Sequence, residues 1–179
     1  MLRHLSQFAA APVLALMMVA SAHAAATAKE AVKEATSAAQ KWQADAVLTH
    51  VSTLRGQADG KAADWLYTFY SPKAKKSAIV TTKDKAVTDV TADVRNTSTD
   101  PLGAESADSD KAVEAAVKSG LKLGKGGKGV AIALYVGNQA VGKRQLFWSV
   151  SVMDDDGMVS VLLDGASAAF IRRDEQKFK

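Results

Sequence analysis

The sequence predicts an α+β protein with two tandem repeats, each an antiparallel β-sheet with a helix packed on one face. Three observations lead to this fold class. Two alanine-rich amphipathic segments recur along the chain, each is followed by segments of alternating polar and apolar residues, and a tryptophan opens a strand behind each helix. Lys29 precedes Trp65 by 36 residues and Asp110 precedes Trp148 by 38, so the two halves share an order of elements.

The start of the chain, residues 1–24, has the pattern of a secretory signal peptide. Arg3 and His4 give a basic start, Phe8 to Ala20 is an apolar run of 13 residues, and Ala22-His23-Ala24 has the small-x-small form of a cleavage site. A membrane-crossing helix needs roughly 20 apolar residues, so the run is too short to be one. We therefore expect cleavage, a periplasmic or secreted protein, and no stable membrane insertion afterwards.

Composition narrows the function classes. The chain has no cysteine, so packing must hold the fold without disulfides, which suits a bacterial envelope protein. The net charge is only +4, and the basic residues come in small groups interrupted by acids. We therefore expect these basic residues to lie on a solvated surface and not in a nucleic-acid groove.

The first repeat, residues 25–94, is predicted to hold one helix and four strands. The helix is expected from Thr27 to Trp42, because alanines recur there at three- and four-residue spacing opposite lysines and glutamates, with Trp42 as the anchor near its end. Period-two alternation and a richness in β-branched and aromatic residues mark the strands. They are predicted at Val47–Leu54, Asp64–Ser71, Ser77–Thr82 and Ala86–Val94.

Residues 95–109 are polar, contain Pro101 and Gly103, and are predicted to be a linker. The second repeat, residues 110–179, begins with a helix that Ser109 or Asp110 can cap and that ends at Gly120. Its strands are predicted at Val130–Val136, Leu146–Met153, Met158–Asp164 and Ala168–Arg172.

These residues carry a family likeness. The stretch "DSDKAVEAAVKSGL" (Asp108–Leu121), followed by "FWSVSV", a turn and "MVSVLLDGASAAF", resembles a PepSY domain. The first half, with "AAQKWQADAVLTHV" and "DGKAADWLYTFYSPKAKK", is similar to the N-terminal half of exported two-repeat PepSY-like proteins. The sequence departs from the family at the last turn, where Asp164-Gly165-Ala166-Ser167-Ala168 replaces D-A-x-T-G.

The resemblance implies a non-catalytic role. PepSY domains occur in the propeptides of thermolysin-type proteases and in many envelope proteins. By that likeness the chain would bind, and inhibit or chaperone, peptidases or other envelope partners.

The run Asp154-Asp155-Asp156-Gly157 has two possible interpretations: a calcium site or a turn between strands. An EF-hand loop with Gly157 at position 6 would place Val152 at position 1 and Leu163 at position 12, and neither side chain can ligate calcium. We expect a hairpin instead, with glycine supplying the positive φ of its turn.

Three further patterns resemble functional motifs but lack the neighbouring residues or elements that those motifs require. The loop "GKGGKG" (Gly124–Gly129) fits G-x-G-x-x-G, but a helix precedes it and a strand follows, the reverse of a dinucleotide site. "GASAA" (Gly165–Ala169) comes near a nucleophile elbow, but no histidine follows Ser167. His50, the only histidine beyond the signal peptide, lies in a predicted strand with no obvious partner.

Aromatic residues at helix and strand periods are expected to be core: Trp42, Trp65, Tyr67, Phe69, Phe147 and Trp148. Phe147 and Trp148 are adjacent, so they must point to opposite faces of one strand. An aromatic side chain on an outward sheet face is the best binding candidate in the sequence.

We therefore expect an exported, non-enzymatic binding module whose open sheet face or edge strand meets an extended segment of an envelope protein or peptide. No catalytic, cofactor-binding or metal residue is nominated, and no cofactor is expected. Two alternatives stay open: an envelope enzyme that works through carboxylates, and a cation-responsive protein that uses the aspartate turn.

Overall fold

A computed structural model of the chain describes residues 25–95, 97–103, 105–123, 129–138 and 144–178. The predicted signal peptide lies outside these residues. Helices and strands follow one another in the order one helix, four strands, one helix, four strands. They are α1 (Val32–Trp42), β1 (Val47–Gly56), β2 (Asp64–Ser71), β3 (Lys76–Lys83), β4 (Ala86–Val94), α2 (Ser109–Lys118), β5 (Val130–Gly137), β6 (Gln145–Met153), β7 (Gly157–Asp164) and β8 (Phe170–Lys177).

The strands form one eight-stranded sheet in the order β4-β3-β2-β1-β5-β6-β7-β8. All pairings are antiparallel, and β1 pairs directly with β5 at the middle of the sheet. The α+β class is therefore confirmed. The expectation of a separate sheet for each repeat is wrong, because the first strands of the two halves join by hydrogen bonds.

Cross-strand pairing assigns each residue to one of two faces. One continuous row of paired residues spans six strands and is buried throughout, with no member more than 5% exposed. This row is Val80, Tyr67, Val51, Leu134, Trp148 and Leu163. It belongs to the single hydrophobic core that the sheet shares with both helices.

Both helices contribute small residues to that core. Ala35 and Ala39 of α1 are fully buried, as are Ala112, Val113 and Ala116 of α2. Helix α1 contacts β2, β3 and β4, whereas α2 contacts β6 and β7. Alanine has almost no side chain to hold the backbone away, so each helix can lie close to the large aromatic residues of the sheet.

Two boundaries differ from the sequence prediction by five residues, and several others differ by one or two. Helix α1 begins at Val32 rather than Thr27, since residues 27–31 form turns in which the Thr27 N–H donates to Glu30 Oε2 at 2.7 Å. Strand β8 continues to Lys177, beyond the predicted end at Arg172. Its residues are mostly exposed and charged, so no alternation marks the strand.

Buried aromatic donors fix the chain just ahead of each helix. Trp65 Nε1 donates to the carbonyl of Ala26 at 2.9 Å, and Trp148 Nε1 donates to the carbonyl of Ala107 at 3.3 Å. The Tyr67 hydroxyl donates to the carbonyl of Ala28 at 2.7 Å. Each bond satisfies a polar group that would otherwise be costly to bury.

The Ser109 hydroxyl joins three distant segments. It is fully buried, accepts the N–H of Ala28 at 2.9 Å and donates to the carbonyl of Gly60 at 2.7 Å. The cap of α2 is Asp108, whose carboxylate accepts the Ser109 N–H, so the predicted cap at Ser109 or Asp110 is one residue or more too late. Gly60 has φ of 77°, and a Cβ there would lie 2.5 Å from Asp110 Cα, so only glycine fits this turn against α2.

Replacing Ser109 by alanine should lower the free energy of unfolding by about 2–4 kcal/mol, because the Ala28 N–H and the Gly60 carbonyl would both be buried without a partner. Urea unfolding measures this loss. The control is Ser37→Ala, whose exposed hydroxyl bonds only within α1 and whose loss should change stability by less than about 0.5 kcal/mol. Equal effects of the two substitutions would contradict the bridging role of Ser109.

Candidate functional site

The face of the sheet opposite the two helices, called the open face below, carries a second cross-strand row. Consecutive members are paired directly, one residue out of phase with the buried row. The row is Ile79, Thr68, His50, Tyr135, Phe147 and Asp164. Phe147 therefore lies on the open face and Trp148 on the helix face, which confirms that the two adjacent aromatics point in opposite directions.

Three rings stand side by side at the middle of this row. The His50 and Tyr135 rings are stacked, with centroids 6.1 Å apart, and the Tyr135 and Phe147 rings are tilted at the same separation. Phe147 is fully buried, while His50 and Tyr135 are half-buried. The sheet thus places a partly accessible aromatic platform over the junction of β1 and β5.

Burial lowers the pKa of His50 below its usual value of 6.5. The imidazole is therefore neutral at pH 7. It can stack and exchange hydrogen bonds there, but it brings no charge to the open face.

An apolar groove of about 440 Å³ lies at one end of the open face. Its walls are Leu54, Met153 and Met158, and small residues such as Ala131 and Ser151 form its floor. Leu54 is 75% exposed and Met153 is 56% exposed, so two large accessible apolar side chains lie in the same groove. Methionine side chains adapt to differently shaped ligands, a property of promiscuous binding surfaces.

The aspartate turn between β6 and β7 forms the acidic rim of this groove. Asp154 and Asp155 line the groove directly, next to Met153. Asp154 Oδ1 accepts the N–H groups of Asp156 and Gly157, both at 3.0 Å. The expected hairpin is confirmed, with the turn held by a side-chain carboxylate.

The reason given for Gly157 from the sequence is wrong. Gly157 has no positive φ. A Cβ at this position would instead collide with the carbonyl oxygen of Gln176 in β8. Glycine is required by the close approach of a neighbouring strand. Within the described ranges, no three acidic or histidine side chains gather where they could hold a metal ion.

The glycine-rich loop and the "GASAA" stretch are the two remaining sequence motifs. Residues 124–128 of the glycine-rich loop lie outside the described residues. The Ser167 hydroxyl is exposed and donates to Asp164 Oδ1 at 2.7 Å, so it closes a turn. In that turn Ala168 takes φ of 58°, the left-handed conformation.

Comparison with known proteins finds a similar fold among solved structures. No family model matches the chain, and no curated protein matches it in sequence. A crystal structure of a candidate lipoprotein from Clostridium difficile 630 has a TM-score of 0.54 to this chain at 13% identity, covering 81% of this chain and 92% of that one. The two chains share a fold.

A second solved structure is more distant. The C-terminal domain of YpeB from Bacillus megaterium has a TM-score of 0.34 at 10% identity, covering 83% of this chain and 65% of that one, too low to carry an argument. In the part of the chain that is described, neither helix has the length and apolar character to span a bilayer.

We expect the free energy of unfolding to fall as the pH is lowered from about 7.5 to about 5.5, because the unfolded chain binds a proton at His50 before the folded chain does. The loss is limited to one proton, or about 1.4 kcal/mol per pH unit at most. Urea unfolding across this range measures it. His50→Phe and His50→Asn should both flatten the dependence; an unchanged slope in both would contradict a buried, neutral His50.

Proposed function

We propose that this protein is an exported, PepSY-like binding module of the cell envelope, without catalytic activity, whose open face holds an extended segment of a partner protein. Export rests on the signal-like pattern of residues 1–24. The PepSY-like character rests on the sequence likeness of both halves, and the shared fold of the candidate lipoprotein is compatible with it.

Two tandem repeats are part of this proposal, with boundaries at 25–94, 95–109 and 110–179. The order of one helix and four strands occurs twice. Trp65 and Trp148 each lie in the second strand of their half, and each donates to a carbonyl just ahead of the preceding helix. Equivalent bonds at equivalent places support a duplicated unit.

The observation that carries the binding proposal is the groove beside the aromatic platform. Single exposed apolar side chains are ordinary on a protein surface, but here Leu54 and Met153 line one recess together. A partner side chain seated there would remove both from water. Each buried apolar side chain contributes roughly 1.5–3 kcal/mol, so two anchors contribute about 3–6 kcal/mol. Micromolar binding corresponds to about 8 kcal/mol, so the segment must also make contacts along the rest of the open face.

Charge at the rim indicates the chemistry of the partner. Asp154 and Asp155 flank the groove, and the described residues that line it include no cation. A segment with an apolar anchor next to a lysine or arginine would match both features, since complementary charge speeds encounter and excludes wrong partners.

The edges of the sheet favour binding at the face over strand addition. Strand β8 carries exposed charges along its length, including Arg172, Arg173, Asp174 and Glu175. Strand β4 pairs with β3 through two register irregularities, and Asp93 near its end has φ of 59°. Charges and bulges both hinder the docking of a further strand.

The alternative of a carboxylate enzyme needs two acids that converge in a deep pocket. Asp154 and Asp155 are instead exposed at the rim of an open groove. A cation-responsive role through the same aspartates has no set of three ligands among the described residues.

Selection of random twelve-residue peptides displayed on phage should enrich a large apolar residue next to lysine or arginine. An enriched peptide is then synthesised, and replacing its basic residue by glutamate should weaken binding by about tenfold or more. The change removes attraction to the acidic rim and adds repulsion. Isothermal titration calorimetry measures both peptides.

The matched variants are Leu54→Ser and Met153→Ser, which should each weaken peptide binding by about five- to fiftyfold while leaving the fold intact, because both side chains are exposed. Val117→Ser is the control: this valine is 42% exposed on α2, on the other side of the sheet. Enrichment of acidic peptides, or equal losses in all three variants, would rule out the groove as the binding surface.

A further inference from the structure

A cleft of about 390 Å³ lies on the helix side of the sheet, separate from the open face. Helix α1 lies over β2–β4 and α2 over β6 and β7, so β1 and β5 are spanned by neither helix. The cleft opens above these two strands, between the start of α1 and the segment that connects the halves. Its lining residues include Lys29, Val32, Lys33, Val51, Leu134 and Trp148.

The floor of the cleft is apolar and rigid. Val51 and Leu134 are paired across the central strands, and Trp148 lies beside Leu134 in the same row. All three are nearly or fully buried, and Trp148 is held in place by its bond to the Ala107 carbonyl. The apolar surface that a ligand would cover belongs to Val32 and Leu48, which are half-buried and line the same cleft above this floor.

The connecting segment forms one wall and is anchored at both ends. The Leu102 N–H donates to the carbonyl of Leu48 at 2.9 Å, and the Ala107 N–H donates to the carbonyl of Gly165 at 2.8 Å. Small-ligand sites are often found where two parts of a chain meet, with volumes from about 300 Å³ upward. This cleft is lined by residues of both halves and of the segment between them, and its volume is at the lower end of that range.

The rim of the cleft is basic. Lys29 Nζ donates to the Ser106 carbonyl at 2.5 Å, which holds its charge over the opening. Lys33 lies about one turn further along the chain. Within the described part of the chain, no side-chain hydrogen bond or ion pair engages its ammonium group, and no carboxylate is among the lining residues.

Two of the acids on the adjoining segments are engaged elsewhere, while a third, Glu105, is exposed next to Ser106. Asp108 accepts the N–H groups of Lys29 and Ser109. Glu30 accepts from Lys85 and from the Thr27 N–H, and these bonds lower its pKa, the bond from Lys85 most. Among the described residues that line the cleft itself, the charged side chains are Lys29 and Lys33.

We propose that this cleft binds an aliphatic carboxylate of medium chain length. The chain covers Val32 and Leu48 above the floor of the cleft, and the carboxylate meets the ammonium group of Lys33, with Lys29 beside it. These half-buried apolar side chains supply affinity in proportion to the area removed from water, and the basic rim selects an anionic head group. This inference is independent of the partner proposed for the open face.

Calorimetric titration of the purified protein with decanoate, 1-decanol and decyltrimethylammonium tests the proposal, with each probe kept below its micelle concentration. Decanoate should bind at one site and raise the midpoint of thermal unfolding. Decanol should bind about fivefold or more weaker, and the cation should show no binding, because only the carboxylate matches the rim. No binding of decanoate, or equal binding of all three probes, would overturn the proposal.

Two variants locate the site. Lys33→Glu should weaken decanoate binding by about five- to tenfold and leave decanol binding unchanged, since it alters the rim alone. Val32→Trp should weaken both probes by filling the cleft. Lys41→Glu, about two turns further along α1 and outside the lining, is the charge-matched control and should stay within about twofold of the original chain. Equal effects of Lys33→Glu and Lys41→Glu would contradict the site.

Discussion

The pairing of β1 with β5 is the constraint on which the rest of this architecture depends. Each half of the chain folds back and forth through four strands, and the two sets of strands join where β1 pairs with β5, as Val51 does with Leu134 and Ser52 with Ala133. Because hydrogen bonds cross this seam, the two halves share one sheet and one hydrophobic core. An unpaired seam would expose two sheet edges in the middle of the molecule, which is costly and prone to aggregation.

The pairing of β1 with β5 creates two different surfaces, one on each side of the sheet. On the helix side it carries Val51 and Leu134 beneath a cleft that neither helix spans, with lysines at the rim. On the open side it carries His50 and Tyr135, whose stacked rings face away from the helices. Successive residues of a strand point to opposite faces, so a single register decides which side chains line the cleft and which form the aromatic platform. A slip by one residue would exchange the two sets.

Local patterns predicted the elements well and their assembly less well. Alternation placed Phe147 and Trp148 on opposite faces, and the glycine signal at Gly120 matches its φ of 95° at the end of α2. The β1–β5 pairing joins residues about eighty positions apart, and no local periodicity encodes a register at that distance. For the same reason the sequence could not reveal Ser109 as a bridge to Gly60 and Ala28, or Gly157 as a point of contact with β8. The groove of Leu54 and Met153 also depends on this long-range register, so single exposed residues gave no signal of it.

The most direct test of the shared sheet is a cysteine pair at Ser52 and Ala133, because the natural chain contains no cysteine to interfere. Directly paired residues of antiparallel strands lie about 4.5–5.5 Å apart at Cα, within the range of a disulfide. We expect mild oxidation of the double variant to give an intramolecular disulfide in folded monomer, and a matched pair at Ser52 and Ala131, on the same face but two residues along β5, to stay largely reduced. Failure of the first pair to form, or equal oxidation of both pairs, would contradict a sheet continuous through β1 and β5.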